Sequence, residues 1–168
     1  MIVLVGFMGA GKTTVGRLLA GKLGVPFLDS DEALEAQAGR PIREIFAEDG
    51  ESAFRALEHS VIASLLAGPD VVLALGGGAA GHPGTRDLLS SGPAVVVYLR
   101  VAYEEALARV GGDEGRPMLA RPDVADVYAT RQAAYSSVAT LPVDTGGRLP
   151  EDIAGDILTR LTPDCLPP

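Results

Sequence analysis

The feature that most constrains this chain is a glycine-rich segment close to its first residue, Gly6-Phe7-Met8-Gly9-Ala10-Gly11-Lys12-Thr13. It fits the pattern G-x-x-x-x-G-K-[ST] at every fixed position, and it lies between an apolar run at 2–5 and a helical pattern from Thr14 to Leu23. A glycine loop between a strand and a helix turns backbone N–H groups and the positive end of a helix dipole toward one anion. The segment therefore predicts a phosphate-binding loop for a nucleoside triphosphate, against the alternative of a glycine turn that matches by chance.

Proteins with such a loop include molecular switches, motors and kinases. The Lys12 ammonium can reach the β- and γ-phosphates, and the Thr13 hydroxyl can ligate Mg²⁺. The chain contains no asparagine, so the Asn-Lys-x-Asp guanine motif of a GTPase is absent. Its 168 residues leave no room for the added modules of a motor. A small kinase is the class that the sequence favours.

Composition limits the partners that we expect for this chain. A chain of 168 residues with 47% apolar residues suits one domain with a full core, and no segment is long and uniform enough to span a membrane. The net charge of −8 argues against nucleic acid as a partner. Only Met1 precedes the first strand, and the single Cys165 cannot form an intrachain disulfide, so we expect a cytoplasmic protein.

Strand and helix patterns alternate along the chain. Apolar runs at 2–5, 71–75 and 94–99 predict buried parallel strands, and shorter strands are indicated at 26–28 and 141–143. Helical patterns lie near 13–23, 31–38, 51–67, 84–90, 102–110, 123–138 and 150–161. This order predicts a doubly wound α/β sheet in a single domain, 1–161, with a frayed tail at 162–168.

Two carboxylates follow the short second strand, in Asp29-Ser30-Asp31. Ligands bind at the carboxyl ends of strands in open α/β sheets, so one carboxylate can hold Mg²⁺ through water and the other can bind or deprotonate an acceptor hydroxyl. The alternative is that Ser30 or Asp31 caps a helix beginning at Glu32. The Asp that usually orients magnesium ends an apolar strand, but the run at 71–75 ends in glycines, which leaves Asp29 as the better metal candidate.

Glycines and arginines supply the remaining candidates. The triplet Gly76-Gly77-Gly78 predicts either close backbone approach to a ligand or a flexible turn. Arg55 can pair with Glu58 three residues later, and Arg131 lies four residues before Tyr135. Two arginines that converge on one cleft would suit a planar carboxylate, whereas solvated ion pairs would contribute under about 1 kcal/mol each.

The ordered set of motifs resembles the shikimate kinases, small P-loop kinases of aromatic amino-acid biosynthesis. The resemblance runs from Gly6 to about Ile153 and is specific as a set. The motifs are GFMGAGKTTVG at 6–16, FLDSD at 27–31, GRPIREIFAEDGESAFRALE at 39–58, LGGGA at 75–79, GRPML at 115–119 and R-x-x-x-Y at 131–135. The chain departs from the family pattern at Ala79-Ala80, in the 111–115 loop and in the tail, which removes no functional position.

The resemblance implies a P-loop kinase fold, an α/β architecture with a five-stranded parallel sheet in the order 2-3-1-4-5. It implies acceptor-binding helices at about 31–60 and a mobile lid at about 111–122. The glycine-rich sequence at 111–117, taken alone, leaves open the alternative of a plain surface linker. The implied activity is direct in-line phosphorylation of the 3-hydroxyl of shikimate, with ATP and Mg²⁺. Because no large apolar stripe is left unassigned, we expect a monomer.

Carried over position by position, the resemblance implies a nucleotide site and a metal site. The nucleotide-binding residues would be Gly9, Ala10, Gly11, Lys12, Thr13, Thr14, Arg109, Arg116 and Arg148. Lys12 and Arg116, the latter from the lid, would meet the phosphates, and Arg109 would stack on the adenine. Thr13 and Asp29 would hold Mg²⁺, Asp29 through water.

The same resemblance implies an acceptor site. Its residues would be Asp31, Phe46, Phe54, Arg55, Gly77, Gly78 and Arg131. Asp31 would contact the ring hydroxyls and act as the base, while Arg55 and Arg131 would hold the carboxylate and Glu58 would orient Arg55. The implied catalytic residues are Lys12, Asp31 and Arg116.

Two rival functions share part of this pattern. A gluconate- or nucleotide-type kinase would have the same loop and fold but a different acceptor. A regulatory module would bind ATP without turnover, although the acidic and arginine positions of a working kinase are all present.

Overall fold

The computed structural model describes residues 1–110 and 123–161. The strands are β1 (Ile2–Val5), β2 (Phe27–Asp29), β3 (Val72–Ala74), β4 (Val95–Arg100) and β5 (Leu141–Asp144). The helices are α1 (Lys12–Leu23), α2 (Ser30–Ala38), α3 (Ile42–Glu48), α4 (Gly50–Leu66), α5 (Pro83–Ser91), α6 (Tyr103–Val110), α7 (Val124–Val138) and α8 (Pro150–Arg160). A single 3₁₀ turn at Ala79–Gly81 follows β3 in these ranges.

The five strands form one parallel sheet in the order β2-β3-β1-β4-β5, which confirms the predicted order. The central strand, β1, pairs with β3 and β4, so that Leu4 lies opposite both Ala74 and Val97. All four residues of β1 are buried. A strand covered on both faces must be apolar at every position, which is why the sequence run was continuous rather than alternating.

The strand order fixes which face each helix covers. The chain moves in one direction along the sheet from β1 to β2 and in the other direction thereafter, so right-handed crossovers put α1 on one face and α4, α5 and α7 on the other. The contacts agree, since α1 packs against α8 and α5 packs against both α4 and α7. The direction of the connections reverses between β1 and β3, and such a switch point opens a crevice at the carboxyl ends of the strands.

A small second core lies apart from the main one. It consists of Leu34, Ile45, Phe54 and Val61, which belong to α2, α3 and α4. The larger core surrounds the sheet and includes β1, β3 and β4. The second core therefore gives α2, α3 and α4 their own packing against one another.

Two local features differ from the sequence predictions. The seven-residue helix α3 was missed, although Pro41 immediately before it and the apolar Ile42 and Ile45 are signals of a helix start. Helix α2 begins at Ser30 rather than Glu32, and its cap is Asp29, whose carboxylate accepts the Asp31 N–H at 2.9 Å. Capping by Ser30 or Asp31 was therefore wrong, because the Ser30 hydroxyl has a different partner in the Gly76 N–H.

No helix within the described ranges is long and apolar enough to cross a membrane.

The central strand should be the part of the fold most sensitive to lost volume. Leu4 is fully buried, so we expect Leu4→Ala to lower the free energy of unfolding by about 2–5 kcal/mol, the range found for deleted core leucines. Urea denaturation would measure it. Leu149→Ala is the matched control, because Leu149 is 65% exposed and should change stability by less than about 0.5 kcal/mol. Equal effects of the two substitutions would contradict the placement of β1 at the centre.

Candidate active site

The glycine loop lies at the carboxyl end of β1 and leads directly into α1. Gly9 has φ 76°, and a Cβ there would lie 2.6 Å from the Ala106 carbonyl oxygen of α6, so this position requires glycine. Lys12 folds back over the loop, where its Nζ donates to the Gly6 oxygen at 2.8 Å and to the Phe7 oxygen at 3.3 Å. The loop thus presents its N–H groups and a held ammonium to one concavity.

A cavity of about 450 Å³ opens at this loop. Its walls are residues 8–15, Arg109, Val110, Arg148, Pro150 and Ile153. Arg109 donates to the Gly9 oxygen at 3.0 Å and to the Thr145 oxygen at 2.7 Å, and Arg148 pairs with Asp156 at 3.1 Å. The structure therefore brings every predicted nucleotide-binding residue of the described ranges to one cavity. Arg116 and the predicted lid, 111–122, lie outside the described residues.

A larger cavity of about 570 Å³ lies between β4 and α7, lined by Tyr98, Tyr128 and Gln132 among others. It contains none of the predicted site residues and has no glycine loop. Its volume alone would make this cavity the first candidate for a ligand site. The smaller cavity is the better candidate for a nucleotide, because the glycine loop and Lys12 line it.

The Asp31 carboxyl has a strongly raised pKa. Burial, followed by the charges of Asp29 and Glu58, raises its pKa to about 6, and the Lys12 charge opposes this shift. A Cβ on Gly76 would clash with its Oδ1, so the carboxylate lies against the glycine segment after β3. Asp31 consequently lies within electrostatic reach of both the phosphate loop and the arginine–glutamate pair of α4.

Arg55 and Arg131 converge on the same glycine segment. A Cβ on Gly78 would lie 2.5 Å from both terminal nitrogens of Arg55, and a Cβ on Gly77 would lie 3.2 Å from Nη1 of Arg131. Arg55 is held by Glu58, whose Oε2 accepts from Nη1 at 2.6 Å. The two guanidinium groups therefore lie over neighbouring residues, an arrangement that suits a carboxylate.

Glu58 is a buried residue, only 2% exposed. Burial raises its pKa although the charge of Arg55 lowers it. The pair is thus partly desolvated, unlike the solvated ion pair that the sequence left as an alternative. A buried partner fixes the direction of the Arg55 guanidinium more firmly than an exposed one would.

Two aromatic rings border the arginine end of the site. Phe46 and Phe54 pack with ring centroids 4.4 Å apart, and the Arg55 guanidinium carbon lies 5.0 Å from the Phe54 centroid. Phe54 is buried, whereas Phe46 is 37% exposed. An exposed large aromatic beside charged groups offers an apolar surface to a ligand ring.

The predicted metal residues, Thr13 and Asp29, contribute one hydroxyl and one carboxylate. No group of three or more His, Cys, Asp or Glu side chains that could hold a metal is present within 1–110 and 123–161. This sparse donor set fits magnesium, which keeps several waters and binds through one or two protein oxygens together with phosphate oxygens.

Sequence reasoning missed one contact and assigned another only in part. The Ser30 hydroxyl accepts the Gly76 N–H at 2.9 Å, and the Tyr135 hydroxyl donates to the Gly77 oxygen at 2.5 Å. Ser30 was considered only as a helix cap and Tyr135 only as a neighbour of Arg131. Both contacts join residues more than 40 positions apart, so no local pattern could reveal them.

Comparison with known proteins agrees with this arrangement. The family model for shikimate kinase matches residues 8–162. The chain belongs to the shikimate kinase family. It is 47% identical over 163 residues to the shikimate kinase of Mycobacterium avium (strain 104), which covers 95% of this chain and 92% of that protein. The predicted family, the enzyme class and a shikimate kinase activity in aromatic amino-acid biosynthesis are therefore confirmed.

Solved structures give the same result. The shikimate kinase of Acinetobacter baumannii in complex with shikimate has a TM-score of 0.88 at 40% identity, covering 94% of this chain and 90% of that one. The enzyme from Aquifex aeolicus has a TM-score of 0.83 at 34% identity, covering 94% of each chain. A gluconokinase from Sinorhizobium meliloti also matches, covering 94% of this chain and 89% of that one, but at 20% identity and a TM-score of 0.59 it shares only the fold.

The raised pKa of Asp31 predicts that this carboxyl destabilises the folded protein at neutral pH. Between its ordinary value of 3.8 and about 6 the folded state holds a proton that the unfolded state has released, so stability is lost as the pH rises through this window. We expect Asp31→Asn to raise the free energy of unfolding at pH 7.5 by up to about 3 kcal/mol, at about 1.36 kcal/mol per pKa unit.

Chemical denaturation of both proteins at pH 7.5 and pH 4 would measure this effect. The gain of Asp31→Asn should shrink toward zero at pH 4, where the wild-type carboxyl is largely protonated. Asp87→Asn is the control, because Asp87 is exposed on α5. A stability loss in Asp31→Asn at pH 7.5 would contradict the burial argument.

Proposed function

We propose that the protein transfers the γ-phosphoryl group of ATP to the 3-hydroxyl of shikimate, giving shikimate 3-phosphate and ADP. The observation that carries the proposal is the convergence of Arg55 and Arg131 on Gly77-Gly78, with Asp31 against Gly76 and within electrostatic reach of Lys12. A carboxylate-bearing acceptor held by the arginines would direct a ring hydroxyl toward the carboxylate of Asp31. This geometry supports an acid with several hydroxyl groups as acceptor.

On the nucleotide side, the loop N–H groups and Lys12 would hold the β- and γ-phosphates. Arg109 is anchored on the loop through Gly9 and on Thr145, the residue after β5, and it would lie against the adenine with Arg148 beside it. Thr13 and Asp29 are the residues that we propose for Mg²⁺, which would neutralise phosphate charge when bound. Arg116 would join the phosphates from the predicted lid.

On the acceptor side, Asp31 would accept the proton of the 3-hydroxyl as its oxygen bonds to the γ-phosphorus and the bond from that phosphorus to the bridging oxygen of ADP breaks. With a pKa of about 6 the carboxylate is ionised at neutral pH and still basic enough to take the proton. The protein otherwise contributes position and charge, because the phosphoryl transition state is loose and rich in negative charge. All of these groups belong to one chain, so we propose that a monomer is sufficient.

The acceptor is tested by ADP release from the wild-type protein with ATP and Mg²⁺, with shikimate, gluconate or a nucleoside monophosphate. We expect release above the acceptor-free rate with shikimate alone, because only this acceptor matches both the carboxylate clamp and the ring hydroxyl contacts. Release with gluconate or a nucleotide instead would retain a kinase and reject the proposed acceptor. ATP binding without release for any acceptor would favour the regulatory module.

The arginine clamp is tested by Arg55→Ala. Hydrogen bonds to a charged group contribute about 1.5–3 kcal/mol each, so we expect a loss of about 2–4 kcal/mol, or roughly 30- to 1000-fold in kcat/KM for shikimate. Arg160→Ala is the matched control, since Arg160 lies at the end of α8 with its side chain 41% exposed. A change of less than about threefold for Arg55→Ala would count against the clamp.

A further inference from the structure

The peptide groups of Gly76–Gly78 are held from two sides by buried hydroxyls. The Ser30 hydroxyl accepts the Gly76 N–H at 2.9 Å, and the Tyr135 hydroxyl donates to the Gly77 carbonyl at 2.5 Å. Both side chains belong to residues that are only 1% exposed. Ser30 comes from the start of α2 and Tyr135 from α7, so elements from opposite ends of the chain fix the same three residues.

These two contacts determine where the remaining N–H groups of the segment point. The C=O and N–H of one trans peptide are antiparallel, so fixing the Gly77 carbonyl on Tyr135 turns the Gly78 N–H to the opposite side. Among the described residues, the N–H groups of Gly77 and Gly78 have no hydrogen-bond partner. They are therefore oriented donors at the carboxyl end of β3, beside the two guanidinium groups.

The Arg131 guanidinium lies beside the same peptide group. A Cβ on Gly77 would lie 3.2 Å from Nη1 of Arg131 and 3.7 Å from the Tyr135 hydroxyl. The Arg131 guanidinium and the Tyr135 hydroxyl therefore meet at Gly77. Burial raises the pKa of the Tyr135 phenol, which keeps the proton that its hydrogen bond to the Gly77 carbonyl requires.

We propose that Tyr135 and Ser30 are positioning residues for the acceptor. Tyr135 holds the Gly77 peptide beside the Arg131 guanidinium, so that the guanidinium and the Gly78 N–H keep one spacing. Ser30 holds the other end of the segment and thereby keeps Gly76 against the Asp31 carboxylate. This inference rests on the proposed function, because it assigns both residues to the acceptor rather than to the nucleotide.

A purely structural role makes a different prediction. If these hydroxyls only satisfied buried backbone groups, their loss would lower stability and affect both substrates alike. A positioning role acts on the acceptor alone, because the nucleotide cavity is lined by neither residue. The KM for shikimate and the KM for ATP therefore separate the two roles.

The experiment is Tyr135→Phe, which keeps the buried ring and removes only the hydroxyl. We expect kcat/KM for shikimate to fall about tenfold or more, with the KM for ATP changed less than twofold. Tyr98→Phe is the matched control, because its ring packs against Tyr135 at 5.3 Å between centroids but its hydroxyl has no hydrogen bond to the described residues. An unchanged kcat/KM for shikimate, or equal losses for both substrates, would overturn the proposal for Tyr135.

A double-mutant cycle tests whether Tyr135 and Arg131 act together on the acceptor. In an Arg131→Ala background, Tyr135→Phe should have much less effect on shikimate binding, measured by calorimetry, than it has in the wild type. Additive effects would overturn the coupling. Ser30→Ala is the second variant, for use if Tyr135→Phe does not fold. We expect it to change the kinetics for shikimate and to leave the KM for ATP nearly unchanged. Ser64→Ala is its control, because Ser64 is exposed on α4.

The wild-type acceptor panel separates the two hypotheses. If the wild type uses shikimate and Tyr135→Phe behaves as Tyr98→Phe does, the positioning inference fails and the proposed function stands. If the wild type uses another acceptor, the proposed function fails. The effects of Tyr135→Phe on the KM for that acceptor and on the KM for ATP then test the positioning role.

Discussion

The pairing of β1 with β3 is the constraint on which the rest of the site depends. Because Leu4 lies opposite Ala74 in a parallel ladder, the two strands end at the same edge of the sheet, and the loops that follow emerge side by side. One loop is rich in N–H groups for phosphate, and the other is the glycine segment beneath two arginines. Their connections leave toward opposite faces, which opens the crevice that an ATP molecule and an acceptor would share.

The site concentrates buried charge near this crevice. The pKa of Asp31 is raised to about 6, and Glu58 is buried beside Arg55. The Lys12 ammonium donates to a carbonyl oxygen of its own loop. Burying ionised groups costs stability unless they are paired and hydrogen-bonded, so the main core and the small core under α2–α4 must offset this cost. The same burial fixes the direction of the Arg55 guanidinium and keeps the Asp31 carboxylate basic. Groups that activity requires therefore lower the stability of the folded protein.

Much of the fold could be predicted because the local sequence patterns agree with the secondary structure that the chain adopts. Continuous apolar runs gave the three central strands to within one or two residues, and the glycine loop fixed the start of α1. The helix α3 was missed because seven residues provide too few turns for a periodic signal. The cap of α2 was placed one or two residues too late, since the sequence could not show that Ser30 would bond to Gly76 instead.

By itself, the sequence determined the chemistry that this protein carries: a phosphate loop, paired carboxylates, a glycine triplet and a set of arginines whose order matches one family. These are local properties, set by residue type and short spacing. Only the tertiary structure decided which arginines meet, why the pKa of Asp31 is raised, and which hydroxyls hold Gly76 and Gly77. Those outcomes depend on desolvation and on contacts between strands and helices far apart in the chain, and no local spacing encodes either.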